Sequence, residues 1–193
     1  MSLQQIHHYH NQIHQARRLG AITEGTLSPY FYNLVTNYAM AKKYLFLREI
    51  TIKSKKTSSN IRPDGILMNE LRIHRGYWES KDSQDDLDVE IQKKIHEKGY
   101  PTSNILFEDT QTAVLIQGGE EVLRVDMNNA VQLHQIITAF INYQPAEVQE
   151  FEQALLAFRQ DIPQIAQAFR DLFEEQGKSN PRYIEARNHF WEL

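Results

Sequence analysis

Residues 61–82 read IRPDGILMNELRIHRGYWESKD, and no other stretch restricts the fold of the chain as tightly. A proline fixes the backbone before Asp64 and a glycine follows it, so Asp64 sits where an extended segment begins or turns. Residues 66–68 then read as a short buried strand, Asn69 and Glu70 as a tight connection, and residues 71–80 as a longer partner strand. Side chains alternate along a strand, so Glu79 and Lys81 point one way and Ser80 the other. Folding the hairpin back brings Asp64 near Glu79 and Lys81.

Two carboxylates and a lysine meeting at one end of a hairpin form a recognisable chemical set. The carboxylates offer hard oxygen ligands to Mg²⁺, which keeps several waters and favours a phosphate oxygen as a further ligand. Such an ion stabilises charge on a scissile phosphate and acidifies a bound water. The lysine can orient or deprotonate that water and offset phosphate charge. The same residue types also suit an ordinary solvated hairpin, with an Asp in a turn and a Glu and a Lys alternating on an edge.

The set also carries a resemblance. Pro63-Asp64, fourteen intervening residues, then Glu79-Ser80-Lys81 resembles the PD-(D/E)xK motif of the restriction-endonuclease-like nucleases. The ordered elements Thr23-Glu24, Pro63-Asp64-Gly65, ESKD at 79–82, Leu87-Asp88 and Gln92 are similar to one branch. That branch is the N-terminal nuclease domain of large bacterial restriction-modification proteins. There the nuclease precedes an N6-adenine methyltransferase, sometimes with a helicase between them. The resemblance covers roughly residues 15–145.

It implies an α/β fold: a restriction-endonuclease-like core with a mixed central β-sheet flanked by helices. It implies a Mg²⁺-dependent DNA endonuclease, with Mn²⁺ as substitute. Asp64 and Glu79 would hold the metal with the backbone carbonyl of Ser80, Lys81 would activate or position water, and Glu24 and Gln92 would line the site. Double-stranded DNA is the implied substrate, and a downstream methyltransferase or helicase domain the implied partner. Cutting both strands needs two sites, so a homodimer on DNA is expected. In the family a Tyr often follows the Gln by four residues; here that position is His96, a departure from the pattern. The alternative is a catalytically inactive module that keeps the fold and binds DNA or docks partner domains, against which the intact Asp64, Glu79 and Lys81 speak.

With 193 residues the chain fits one domain, or one domain plus a helical appendage, and can bury a core of its own. A 24% charged, 41% hydrophobic composition is ordinary for a soluble globular protein. The net charge of −4 does not announce a nucleic-acid binder, yet a bound metal and a local basic patch still favour DNA. No cysteine is present, which removes disulfides and thiolate zinc sites and suits a reducing cytoplasm. No apolar run approaches a membrane span and no signal peptide is recognisable, so a cytoplasmic protein is expected.

Along the chain, residues 2–19 are a predicted helix on which His7, His10 and His14 share a face. They are read as a solvated face or, with a second ligand cluster that the sequence does not supply, a metal grip. Thr23-Glu24 open a second, strongly apolar helix. Glu24 there suits the helix dipole, and the resemblance adds a place beside the metal. Residues 44–52 predict the first strand. Lys53, Lys55 and Lys56 lie in a polar loop that suits either phosphate contact or plain solvation. The acidic run from Asp82 to Glu90 reads as the start of a helix reaching about residue 98, on which Asp88 and Gln92 face one way. Strands at 104–108, 112–117 and 122–125 follow, the last two joined through Gly118-Gly119, then a helix at 131–143.

Residues 1–145 are thus expected to form the nuclease domain and 146–193 a helical extension or linker to a downstream domain. Val148, Phe151, Leu155, Phe158, Ile162, Ile165, Phe169 and Leu172 mark a heptad-like apolar seam. Asp161 as a cap and Pro163 in a first turn predict two helices meeting there.

Overall fold

A computed structural model describes residues 3–54, 56–144 and 146–191, so Lys55 lies outside the described residues. The chain divides into two compact units, residues 1–145 and 146–193.

The first unit is built around the hairpin. Strand β1 (Leu45–Arg48) pairs antiparallel with β4 (Gly65–Met68), which pairs antiparallel with β5 (His74–Ser80). The connection between β4 and β5 is longer than the tight turn expected. Asn69 Oδ1 accepts the N–H groups of Leu71 at 3.0 Å and Ile73 at 2.9 Å, and Arg72 takes a left-handed φ of 60°. An Asn side chain that satisfies these amides locally delays the ladder, so β5 starts at His74 rather than residue 71.

The single strand expected over 44–52 is also divided. Glu49 turns left-handed with φ 57°, its N–H donates to the Asp64 carbonyl at 3.2 Å, and the chain leaves the sheet. Beyond it β2 (Ile52–Lys53) pairs with β3 (Asn60–Ile61) in a separate two-stranded sheet.

Strand β6 (Asn104–Glu108) lies parallel to β5, and β7 (Thr112–Gln117) and β8 (Glu120–Asp126) continue antiparallel. The sheet order is β1-β4-β5-β6-β7-β8, a mixed sheet as expected. Gly118 and Gly119 join β7 to β8 with φ of 60° and 93°, values that a side chain would resist in a two-residue hairpin turn.

Helices α1 (Leu3–Arg18), α2 (Glu24–Met40) and α4 (Ala130–Asn142) contribute to the core that holds Trp78, Leu106 and Leu115. The opposite face carries Ile66, Tyr77, Ile105 and Phe107 against α3 (Leu87–Gln92) and the wide π-turn Lys93–Glu97 that continues it. Asp86 caps α3 by accepting the N–H groups of Asp88 and Val89, as the acidic run leads one to expect.

Trp78 is fully buried among Phe31, Tyr32 and Phe46, at ring-centroid distances of 5.7, 6.4 and 5.8 Å. Opposite it, Gly65 has no room for a side chain. A Cβ there would lie 2.7 Å from Phe46 Cζ and 2.8 Å from Trp78 Cε3. Gly65→Ala is expected to cost about 1–3 kcal/mol in urea unfolding, because neither buried ring can yield; an unchanged midpoint would refute this.

The second unit holds α5 (Ala146–Ser179) and α6 (Pro181–Trp191). The sequence expectation of two helices meeting at Pro163 is wrong: α5 runs unbroken through it, with Asp161 in its interior. The proline forfeits one backbone bond, to the Arg159 carbonyl. That turn is exposed, so water can take the carbonyl, and the 34-residue helix continues past it. The actual break is at Asn180, whose side chain accepts from Arg182 N at 3.1 Å and Tyr183 N at 3.3 Å, with Pro181 in the first turn. Most of the seam of α5 is exposed, including Phe151, Phe158, Ile165 and Phe169.

Candidate active site

Strands β4 and β5 bring the start of one and the end of the other to the same edge. Asp64 precedes β4, and its Oδ2 accepts the backbone N–H of Ser80 at 2.8 Å. That bond fixes the aspartate against the end of β5. Pleating sends Glu79 toward the α3 face, and Ser80 to the opposite face, where it is wholly buried.

Glu79 is only 1% exposed. Its Oε1 accepts Lys81 Nζ at 3.1 Å and pairs closely with Lys94 Nζ, while its Oε2 is buried with no hydrogen-bond partner. Burial raises its pKa, the nearby Asp64 charge raises it further, and the two lysines oppose both.

Lys81 Nζ also donates to the Ser80 carbonyl at 2.5 Å and lies 3.7 Å from Glu24 Oε2. Burial alone would lower the lysine, but Glu79 and Glu24 override it and its pKa is raised. With these partners Lys81 is a donor and counter-charge to two carboxylates. Glu24 reaches this edge from the first turn of α2, whose N–H is capped by the Asp82 carboxylate. Burial and then the neighbouring carboxylates raise the Glu24 pKa against the pull of Lys81.

Not every expected residue joins the set. Gln92 is exposed and has no hydrogen bond to Asp64, Glu79 or Lys81 among the described residues. Asp88, expected beside it, pairs instead with Arg124 Nη2 at 2.6 Å, and His96 is exposed. The residue of this helical segment that does reach the carboxylates is Lys94, which sequence reasoning missed. The signal was present: Lys94 follows Leu87 by seven positions and Ile91 by three, a lysine on the buried stripe of its helix.

Lys53, expected in the loop, lies in β2, and the loop that follows, carrying Lys56, is anchored, with Ser54 Oγ donating to the Gly99 carbonyl at 2.7 Å and accepting the Lys56 and Thr57 amides. Of the N-terminal histidines, His10 bonds the Met127 carbonyl at 2.7 Å while His7 and His14 are exposed. Among the described residues no group of three His, Asp or Glu side chains is placed to hold a metal ion. The residues at the hairpin end nevertheless fit a magnesium-type ion. Such an ion takes one or two carboxylates plus waters and phosphate, and Glu79 Oε2 is a buried oxygen awaiting a partner.

Behind the site, on the opposite face of the sheet, Glu108 is fully buried beside Ser80 in the parallel register. Its Oε2 accepts the Thr110 N–H at 2.8 Å. Trp78 Nε1 and Ser80 Oγ lie toward the same carboxyl, and neither closes a hydrogen bond of ordinary geometry. Burial pushes the Glu108 carboxyl up to about 7. Thr110 takes a φ of 68°, unusual for a β-branched residue, and Arg17 Nη2 holds its Oγ1 at 2.6 Å.

This sheet, with helices on both faces and an acid–acid–lysine set at the end of its central hairpin, is a restriction-endonuclease-like fold. The likeness is close to one solved structure, DrdV in complex with DNA. The two share 37% sequence identity and a TM-score of 0.74 over 99% of this chain, and the match spans 19% of the DrdV chain. The type IIG restriction endonuclease BpuSI aligns at 10% identity and a TM-score of 0.41 over 62% of this chain and 16% of its own, too distantly to carry an argument. No family model and no curated protein matches the chain.

Proposed function

We propose that this chain is the nuclease domain of a restriction-modification protein and hydrolyses phosphodiester bonds of double-stranded DNA with Mg²⁺. The observation that carries the reading is the convergence of Asp64, Glu79, Lys81 and Glu24 on one strand end. The likeness to DrdV, whose structure contains DNA, supports it.

Asp64, Glu79 and the Ser80 carbonyl would hold the ion, which when bound supplies charge stabilisation at the phosphate and a more acidic water. Lys81, kept charged by Glu79 and Glu24, meets the phosphate as a fixed positive donor and offsets the charge that grows on it. Glu24, from the first turn of α2, pairs with the same ammonium at 3.7 Å. Asp64, tied to Ser80 N, keeps the two carboxylates in register with the backbone.

The exposed apolar seam of α5 fits a surface covered by a downstream methyltransferase or helicase domain of a longer polypeptide. Cleavage of both strands would use two copies on DNA. No helix among the described residues is long and apolar enough to cross a membrane, and the absence of cysteine supports a cytoplasmic setting.

The test is nicking of supercoiled plasmid with Mg²⁺ or Mn²⁺ against an EDTA control, in the wild-type chain and in Asp64→Asn. Metal-dependent nicking that drops by about 10²-fold or more in the variant is expected. Failure to nick together with no calorimetric binding of Mn²⁺ would sink the reading.

A further inference from the structure

Neither the motif nor its flanking elements ask for Lys94, yet its ammonium pairs directly with Glu79 Oε1. The side chain is 12% exposed, lies 4.9 Å over the Tyr100 ring and reaches the Tyr100 hydroxyl oxygen at 3.4 Å. Tyr100 is itself fixed, its hydroxyl donating to the Arg62 carbonyl at 3.1 Å. The backbone is pinned as well: the Lys94 carbonyl accepts Tyr100 N at 3.0 Å, and Lys98 N closes the π-turn on the Lys93 carbonyl at 3.1 Å. Wide turns of this kind recur where a helix re-aims a side chain at a functional site. A lysine with a stacked ring, an ion pair and a closed backbone is a positioned charge, not a drifting one.

Two ammonium groups therefore converge on a single oxygen of Glu79 while the second oxygen has no partner. Lys81 has other oxygens to hold, those of Ser80 and Glu24. Among the described residues the carboxylate of Lys94 is Glu79.

We propose that Lys94 is a positioning residue of the cleavage site: it holds the Glu79 carboxylate in place and competes with the divalent cation for it. The inference rests on the nuclease reading above. A positive charge sharing a carboxylate with an incoming divalent ion repels it. With both side chains largely shielded from water, that repulsion weakens binding by about tenfold or more.

The experiment is calorimetric titration with Mn²⁺ at a fixed pH of 8. It compares the wild-type chain with Lys94→Met, Lys94→Gln, Lys94→Arg and Glu79→Gln, each checked by thermal melting. The wild type is expected to bind, Glu79→Gln to lose binding, and both neutral Lys94 variants to bind about tenfold more tightly. Lys94→Arg is expected to return to the wild-type affinity, which a merely space-filling role would not produce. Should Lys94→Met fail to fold, Lys94→Gln carries the comparison. Neutral variants that bind no more tightly than the wild type overturn the role of Lys94 and leave the nuclease reading standing. If neither the wild type nor the neutral variants bind the ion, both ideas fall together.

Discussion

Glu79→Ala is expected to abolish both Mn²⁺ binding and plasmid nicking, whereas Lys81→Met slows nicking by about 10²-fold or more and binds the ion at least as tightly as the wild type, since an ammonium on Glu79 Oε1 is gone. The difference follows from where each group sits. Glu79 supplies the buried, unpartnered Oε2, and without that oxygen the hairpin end keeps Asp64 as its remaining acidic ligand. Lys81 is a counter-charge, held between Glu79 and Glu24, so its removal takes away a donor and leaves the oxygens in place. Calorimetry and nicking run on the same preparations separate the two roles. Loss of ion binding in Lys81→Met would show that the lysine organises the carboxylates as well as facing the phosphate.

A second large effect is expected in stability, at Glu108. Its carboxyl is raised from an ordinary value of 4.5 to about 7 because burial disfavours the charged form. The folded chain thus keeps this proton to higher pH than the unfolded chain. Below about 4.5 both states hold the proton and the group contributes nothing to pH dependence. Between about 4.5 and 7 the folded state binds more protons, so stability falls as pH rises, and above about 7 the full penalty is present. The shift corresponds to roughly 3 kcal/mol. Glu108→Gln removes the charge, keeps the shape and retains an acceptor for the Thr110 N–H. The variant is expected to be more stable than the wild type at pH 8 by up to roughly 3 kcal/mol and to lose the advantage by pH 4.5. Urea unfolding at the two pH values checks it, and an equal effect at both would refute the assignment.

The central hairpin was readable because three signals agreed there: a proline and a glycine around Asp64, apolar runs of strand length, and alternation that set Glu79 and Lys81 on one face. The turn at Gly118-Gly119 and strands β6 and β7 were readable for the same reason, local chemistry agreeing with local pattern. Glu24 was different, since its position on α2 gave no more than a dipole-favoured acid and its place at the edge rested on the resemblance. Gln92 was expected at the site from the resemblance and from its one-turn spacing to Asp88; it stands exposed, and Asp88 is drawn to Arg124 on β8, a contact between segments far apart in sequence. The breaks at Glu49 and in the loop after Asn69 depend on left-handed residues that carry no glycine to announce them. Pro163 misled in the other direction. A proline is a reliable breaker where a helix needs its backbone bond for burial, and α5 is exposed at that turn.

The parallel pairing of β5 with β6 has a consequence for the order of folding. A hairpin such as β4–β5 closes over a few residues, but the β5–β6 ladder forms only after the crossover through α3 and the π-turn has been closed. Loop closure over such a segment costs entropy before the ladder returns any of it, so this step comes late. Asp64 and Glu79 are brought together by the hairpin alone. Lys94, Tyr100 and the Glu108 carbonyl that receives the Lys81 N–H arrive only with the crossover. The early hairpin therefore holds its acids together without the lysine from the crossover, and the complete set of charges appears only in a chain whose central sheet has closed.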